Sequence, residues 1–322
     1  MDSLASMRPI MALLMSVCAA QSFAQSGVPE KSANLQWHSL LAWTHSWDMA
    51  DAVTYMPDAG ERDTWGIDTS PRVAKVQDRG TAAMPLLRDQ GMWGQVFTLP
   101  AFPGPLYTPT DPRFSGRPSF FADPMVHLGP DLYNVHSILS PVIDPEDPKT
   151  FFAAPDGYQP PYWIAVLAHP PVGEASLEGM TSLSAVIDSH RGVTGAGPTV
   201  GGTLYGDNWG VACFGPQPPG FFWPGIERAY QAETALVVVF VGSGIDGSWM
   251  EVSWREGDEI KTRRDTITLG AQPDGAPLPF EETFFGWAET MRNSAMGIKL
   301  GTPLEAEIDA LRTWSSPFIP EG

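Results

Sequence analysis

The hydrophobic pattern is organised around one stretch, residues 234–269. It begins with Ala-Leu-Val-Val-Val-Phe-Val at 235–241, the most continuously apolar run after the first 24 residues. β-Branched and aromatic side chains suit a pleated, packed surface. Because the run is apolar at both odd and even positions, it predicts a strand that is covered on both faces.

Two further strands are predicted after this run. Residues 249–254 (Trp-Met-Glu-Val-Ser-Trp) alternate between apolar and polar side chains from Met250 onward, which is typical of a half-buried strand. The Gly and Asp residues of 256–259 predict a turn. Residues 260–269 predict a third strand, and its change of apolar parity indicates a bulge near Arg263 and Arg264.

Glycines follow the apolar run in the spacing G-x-G-x-x-G, at Gly242, Gly244 and Gly247. In a dinucleotide-binding fold this loop opens a helix. Here the next residues alternate like a strand. The pattern therefore favours a hairpin turn over a nucleotide site.

Helical spacing is found near both ends of the chain. Residues 34–53 carry Leu35, His38, Ala42, His45 and Met49 at helical intervals, which predicts an N-terminal helix. An apolar stripe over 281–296 predicts a first C-terminal helix that ends at Gly297. A capping sequence at 302–305 predicts a second one.

These elements predict an α+β protein, with a mainly antiparallel β sheet or sandwich, an N-terminal helix and two C-terminal helices. Pro and Gly number 32 each, which favours short elements joined by many turns. We expect one domain overall. Its segments are a signal peptide at 1–24, an N-terminal helical and irregular segment at 25–91, a β-rich core at 92–275 that includes a proline-rich wrap at 100–124, and C-terminal helices at 276–322.

The start of the chain predicts export. A basic residue precedes a short apolar run that ends in Ser22-Phe23-Ala24, the pattern of a cleaved secretory signal. We therefore expect a periplasmic or secreted protein that is not inserted in a membrane after cleavage. The formal net charge is −18, which disfavours nucleic acids and anionic membranes as partners.

The candidate chemistry is acidic and aromatic. The chain has 12 tryptophans, and sugar rings stack on such side chains, while glycoside cleavage needs two carboxyl groups across the bond. Carboxylates and tryptophans lie close together in sequence at several places. The predicted catalytic residues are Glu251, Glu256 and Asp207, and the predicted substrate-binding residues are Trp209, Trp249 and Trp254.

Three functions follow as hypotheses. The first is a secreted or periplasmic hydrolase that acts on glycans by paired carboxylates, with a glycan or small molecule as ligand. The second is a non-catalytic extracytoplasmic binding or envelope protein that uses exposed aromatic side chains. The third is a metal-assisted enzyme with ligands drawn from His45, His127, His136, His169 and His190. No cofactor and no specific metal site are predicted.

Other reactive residues carry less weight. Asp188, Ser189 and His190 are neighbours, and on a strand their side chains point to alternate faces, so they do not form a triad among themselves. Ser243 is a candidate nucleophile on a glycine turn. Cys213 fits a small buried residue better than a nucleophile.

Overall fold

We describe the chain from a computed structural model. The described residues are 36–88, 103–121, 124–125, 135–136, 139–141, 160–169, 183–188, 197–203, 208–214, 225–226, 234–243, 247–267, 284–285 and 292–321. They belong to one compact unit, Gln36–Gly322. The predicted signal peptide lies outside the described residues.

The described part of the chain consists mostly of β-strands, and some of them close into a ring, so the predicted α+β class with an open sheet or sandwich is wrong. In chain order the strands are β1 (His45–Tyr55), β2 (Arg72–Asp78), β3 (Leu86–Arg88), β4 (Leu106–Asp111), β5 (Arg117–Phe121), β6 (Pro124–Met125), β7 (Val135–His136), β8 (Leu139–Pro141), β9 (Tyr162–His169), β10 (Leu183–Asp188), β11 (Gly197–Thr203), β12 (Asn208–Phe214), β13 (Gly225–Ile226), β14 (Ala235–Val241), β15 (Ser248–Glu256), β16 (Glu259–Ile267), β17 (Phe284–Phe285) and β18 (Arg292–Leu300). Two α-helices accompany them, α1 (Ala59–Trp65) and α2 (Glu305–Ser315).

All described strands except the β6–β7 pair belong to one antiparallel sheet. Its order is β13-β12-β11-β10-β17-β8-β3-β2-β4-β5-β18-β9-β14-β15-β16. Strand β1 pairs with both β18 and β2, so the pairings β1-β2-β4-β5-β18 close into a ring. The ring and the neighbouring strands β9, β14 and β15 hold the core.

The central strands agree with the sequence pattern. Strand β14 covers the predicted run, and every one of its side chains is buried. Strand β15 begins at Ser248, directly after Gly247, and no helix follows the glycines there. The β15–β16 register runs without a shift from Ser248 opposite Ile267 to Glu256 opposite Glu259, so the predicted bulge was wrong.

The two faces of this sheet bury different clusters. One face carries Tyr162, Ile164, Val166, Val237, Val239, Met250 and Val252, which pack with the ring residues Trp47, Met49 and Phe120. The other face carries Trp163, Leu167, Leu236 and Val238, which pack with α2 and with the aromatic group Trp37, Trp43 and Trp314. Burial on both faces explains why β14 shows no polar alternation.

The predicted N-terminal helix is contradicted. Residues 45–55 form β1, and only a 3₁₀ turn, Trp37–Ser39, precedes it among the described residues. His45, Trp47 and Met49 share one face of the strand, with the His45 and Trp47 rings stacked at 5.2 Å. Pairing with β18 and β2 outweighs the weak helical spacing of this segment, since tertiary contacts override local propensity.

The prediction of two C-terminal helices is also wrong. Residues 292–300 form β18, which is buried on both faces between its partner strands, and 284–285 form the short strand β17. Helix α2 follows, and it is the one α-helix among the described residues of the C-terminal region. Its buried side chains Ile308, Leu311 and Trp314 pack on the sheet. No helix in the described ranges is long and apolar enough to cross a bilayer.

Candidate functional site

A cluster of polar side chains lies at one end of the central sheet. Strand β9 ends at His169, and β18 begins at its cross-strand partner Arg292. Arg292 is also paired with Phe121 at the end of β5. Thr234 immediately precedes β14, whose first residue is opposite the neighbour of His169. Four strands therefore bring distant parts of the chain to one place.

The connection between β4 and β5 completes the cluster. Its 3₁₀ turn, Pro112–Phe114, is capped by Asp111, which accepts a hydrogen bond from the backbone N–H of Arg113 at 3.0 Å. A proline at the first helical position favours such a start. Ser115 and Gly116 then reverse the chain with φ of 51° and 87°. Phe114 is buried and anchors the turn edge-on against the His169 ring.

Asp111 holds this turn to β5. Its side chain is fully buried, and the Ser119 hydroxyl donates to its Oδ2 at 2.6 Å. Two guanidinium groups approach the same carboxylate, Arg113 at 3.6 Å and Arg292 at 3.7 Å. Both distances exceed hydrogen-bond length, so these contacts are electrostatic.

A chain of hydrogen bonds fixes the tautomer of His169. The hydroxyl of Thr234 donates its only proton to the carbonyl oxygen of Arg113. The remaining contact, 2.9 Å between His169 Nδ1 and Thr234 Oγ1, therefore requires Nδ1 to be the donor. The neutral ring then carries its proton on Nδ1 and a lone pair on Nε2. Nothing among the described residues hydrogen-bonds to Nε2.

The surroundings keep this histidine neutral. Burial, followed by the positive charge of Arg113, lowers the pKa of His169 from 6.5 to about 4. The charge of Asp111 opposes this shift, and Arg292 makes the smallest contribution, which also lowers the pKa. At neutral pH the ring is thus uncharged and can accept a proton at Nε2. The cluster accordingly combines a proton acceptor with adjacent guanidinium groups.

Glu251, a predicted catalytic residue, is part of a different network. It lies in β15 with a side chain that is 1% exposed. Arg312 on α2 binds it in a fork, with Nε on Oε1 at 2.8 Å and Nη2 on Oε2 at 2.6 Å. Arg264 on β16 adds its Nε on Oε2 at 2.7 Å. These contacts join the helix to the sheet.

The structure does not bring Glu251 and Glu256 together. Both lie in β15, five positions apart, which corresponds to opposite faces and to a separation of about 16 Å. Glu256 is exposed at the turn into β16. Asp207 lies outside the described residues. A pairing of Asp207 with another carboxyl group therefore stays a prediction.

The predicted substrate-binding tryptophans are placed on two strands. Trp249 lies partly buried on β15, with the Arg264 guanidinium 4.2 Å from its ring centroid and the Phe240 ring at 5.9 Å. Trp254 packs at the margin of the core. Trp209 lies on β12, which pairs with β11 and β13 and only touches β15 without pairing with it.

The histidines of the metal hypothesis do not converge within the described part of the chain. His45 is buried and pairs with Asp78, Nδ1 to Oδ2, at 2.9 Å. Asp78 also accepts backbone N–H groups of Ser46, Gly80 and Met84, so the pair organises a loop. No group of three or more metal-ligating side chains occurs among the described residues. His127 and His190 lie outside them, and His136 is described only as part of β7.

Sequence reasoning included His169 only as a metal ligand and missed Arg113, Asp111 and Thr234. The segment Asp-Pro-Arg-Phe-Ser-Gly at 111–116 contains the capping Asp and the proline of a tight turn. That signal locates the turn. It does not reveal that the turn contacts residues 169 and 234, because strand pairing over such separations cannot be read from one sequence.

Similarity to solved structures covers most of the chain at low identity. A GH54 α-L-arabinofuranosidase mutant matches at 9% identity and a TM-score of 0.47, over 89% of this chain and 62% of that chain. A family 7 alginate lyase matches at 10% identity and a TM-score of 0.36, over 85% of this chain and 97% of that chain. The receptor binding domain of botulinum neurotoxin D matches at 8% identity and a TM-score of 0.37, over 82% of this chain and 53% of that chain.

These similar structures thus include glycan-acting enzymes and a toxin domain. This chain spans less than two thirds of the length of the arabinofuranosidase. With TM-scores below 0.5, the matches do not assign an activity to it. The sequence matches no family model and no curated protein.

Proposed function

We propose that this protein is an exported hydrolase that acts on a glycan, and that His169 accepts the proton of the attacking water. The observation that carries the proposal is the hydrogen-bond chain from His169 Nδ1 through Thr234 to the Arg113 carbonyl. It presents Nε2 as an acceptor in a fixed orientation. A general base needs both features before its pKa matters.

Electrostatics support the same role. A histidine with a pKa of about 4 stays neutral over the whole physiological range, so the base is always in its active form. It is weaker than an ordinary histidine as a base. Its protonated form is a correspondingly stronger acid, which favours proton return to a leaving group.

Export and the glycan substrate are supported by the sequence. The first 24 residues have the pattern of a secretory signal, and the chain is rich in tryptophan and strongly acidic. An alternative mechanism for the same glycan hydrolase is catalysis by a carboxylate pair that includes Asp207 in place of His169.

The test is an activity screen of the purified full chain against a panel of plant, algal and bacterial polysaccharides, following both new reducing ends and released acid. We expect turnover on at least one glycan. The His169→Gln variant keeps the size of the side chain and removes the base. It should lower kcat by about 10²–10⁴-fold, the usual contribution of a general base.

The matched control is His38→Gln, since His38 is also a partly buried histidine and lies in the 3₁₀ turn before β1. This variant should retain activity. A His169→Gln protein that is folded, as judged by its circular dichroism spectrum, and fully active would refute the role of His169. Binding of a glycan without any turnover would favour the non-catalytic alternative.

A further inference from the structure

The chemistry around His169 suits one kind of bond better than another. Hydrolysis of a glycosidic bond is usually performed by two carboxyl groups about 5 to 9.5 Å apart. Asp111 is the one carboxylate among the described residues whose charge acts on His169. It is fully buried and already binds the Ser119 hydroxyl and the Arg113 amide. This carboxylate therefore serves the turn and is not exposed to a substrate.

Ester hydrolysis makes different demands. Water must lose a proton as it attacks the carbonyl carbon, the carbonyl oxygen must be stabilised as it becomes negative, and the leaving alkoxide must gain a proton. A single neutral histidine can perform the first and last of these steps in turn. A cationic donor next to it can perform the second.

We infer that this site hydrolyses a carboxylic ester carried by the glycan, with His169 as the base and Arg113 as the group that stabilises the oxyanion. The inference rests on the proposed function, and it names the bond class that the same site would cleave. Acyl groups on sugar hydroxyls are the substrates of this chemistry.

Arg113 has the placement that this role needs. Its backbone carbonyl is the terminal acceptor of the Thr234 hydroxyl, so the residue is fixed beside His169. Its guanidinium is 38% exposed and approaches Asp111 only at 3.6 Å, beyond hydrogen-bond length. The N–H donors can therefore turn to a substrate oxygen while the main chain stays in place. Arg292 lies deeper, with its guanidinium 4.3 Å from the Phe121 ring centroid.

The steps balance with water as the only co-reactant. His169 Nε2 takes a proton from water while the water oxygen bonds to the carbonyl carbon, and the former carbonyl oxygen carries the negative charge beside Arg113. The carbon–oxygen bond to the sugar then breaks, and the sugar oxygen takes the proton from Nε2–H. The products are a free carboxylic acid and a sugar hydroxyl. Thr234 does not serve as nucleophile, because its hydroxyl is buried and its proton is committed to the Arg113 carbonyl.

The test uses one acetylated glycan and the same glycan after chemical deacetylation. Released acetate and new reducing ends are measured separately. We expect acetate from the acetylated glycan and no shortening of either chain. His169→Gln should abolish acetate release, and Arg113→Met should lower kcat by about 10²–10³-fold, as for loss of an oxyanion donor. Arg113→Lys, which keeps the charge, should lie between.

The matched control for Arg113 is Arg79→Met. Arg79 is 50% exposed and pairs with Asp51 at 3.1 Å, so its loss removes a comparable surface cation. Activity of this variant should be unchanged. The Arg113→Met substitution changes only the side chain, so the backbone carbonyl that accepts the Thr234 hydroxyl is kept. Full activity of this folded variant would therefore overturn the role of the Arg113 guanidinium.

The outcomes separate this inference from the function on which it rests. New reducing ends that depend on His169, without acetate, would refute ester cleavage and leave the proposed hydrolase standing. No product from any glycan would refute both. A second readout is the pH profile, in which kcat/KM should fall only near pH 4, because burial of the ring and the neighbouring charge of Arg113 lower the pKa of His169 more than Asp111 raises it. An acid limb near 6.5 would contradict this environment.

Discussion

The link between α2 and the sheet gives a sharp prediction. Replacing Glu251 with Gln keeps the shape of the side chain and removes its charge. In the folded protein this carboxylate receives three short hydrogen bonds, two from Arg312 and one from Arg264. The amide introduced by the substitution would have a single acceptor oxygen and would point N–H donors at a guanidinium.

The expected loss of folding stability can be estimated from the burial of Glu251 and of its two arginine partners. Breaking a fully buried ion pair costs about 3–5 kcal/mol, because a charge is left without a partner. Here Glu251 is 1% exposed, and the two arginine side chains are 33% and 24% exposed. The arginines also contact Glu305, at 2.9 and 3.0 Å, so they stay partly satisfied. We therefore expect the lower end, about 3 kcal/mol.

Urea unfolding followed by circular dichroism measures this loss. In a thermal melt of a chain of this size, the same 3 kcal/mol corresponds to a drop in Tm of about 4–5 °C. The control is Asp309→Asn, since Asp309 contacts the same Arg312 at 2.6 Å from a side chain that is 63% exposed. An exposed pair contributes only about 0–1 kcal/mol.

Equal stability of the Glu251→Gln and Asp309→Asn proteins would refute the reasoning. Burial would then not govern the strength of these contacts. A separate activity measurement on the same variants decides whether Glu251 is catalytic. Glu251→Gln should leave turnover per folded molecule unchanged, and a large loss of turnover with no loss of stability would restore Glu251 as a catalytic carboxylate.

Two further predictions concern stability. The pKa of His169 is about 4 in the folded protein and 6.5 in the unfolded chain, so the unfolded chain binds more protons between these two pH values. The free energy of unfolding should therefore be highest above pH 6.5 and should fall by up to about 3 kcal/mol as the pH drops to 4. Urea unfolding of His169→Gln should show a flatter dependence in this window, and an equally steep one would contradict the assignment. Gly297→Ala should destabilise by about 1–3 kcal/mol, since its Cβ would lie 2.7 Å from the Trp43 ring. Gly60→Ala in α1, where the contact is an ordinary 3.4 Å, should not destabilise, and equal thermal melting of the two variants would exclude the clash.

The central strands were predictable because their pattern has one interpretation. A run of seven apolar residues in β14, followed by alternation in β15, fits a buried strand and its half-buried neighbour. Helix α2 was also predictable, because its buried residues Ile308 and Leu311 are three positions apart, as on one face of a helix. In these segments local pattern and tertiary environment agree.

The segments at 45–55 and 292–300 were misassigned for a physical reason. In β18 both faces are covered, so Asn293, Ala295, Met296 and Ile298 give no alternation that would identify a strand. Apolar residues then fall by chance at helical intervals. Pairing with strands up to about 250 positions away decides the outcome, and β1 and β18 are each other's partners. The two misassigned segments are therefore partners in one strand pair.

The same argument explains the candidate site. Carboxylates next to tryptophans attract attention in a sequence, yet Glu251 faces α2 and two arginines, where its charge stabilises packing. His169 has no carboxylate or tryptophan next to it in sequence. Its partners Thr234 and Arg113 are far away along the chain, and only the folded sheet brings them to it. Chemistry here depends on which strands end at the same edge, whereas charge within a single strand is divided between its two faces. A search for function in a sheet of this kind should therefore begin where the ends of several paired strands meet. Comparing the Glu251→Gln and His169→Gln variants in one activity assay tests that rule directly.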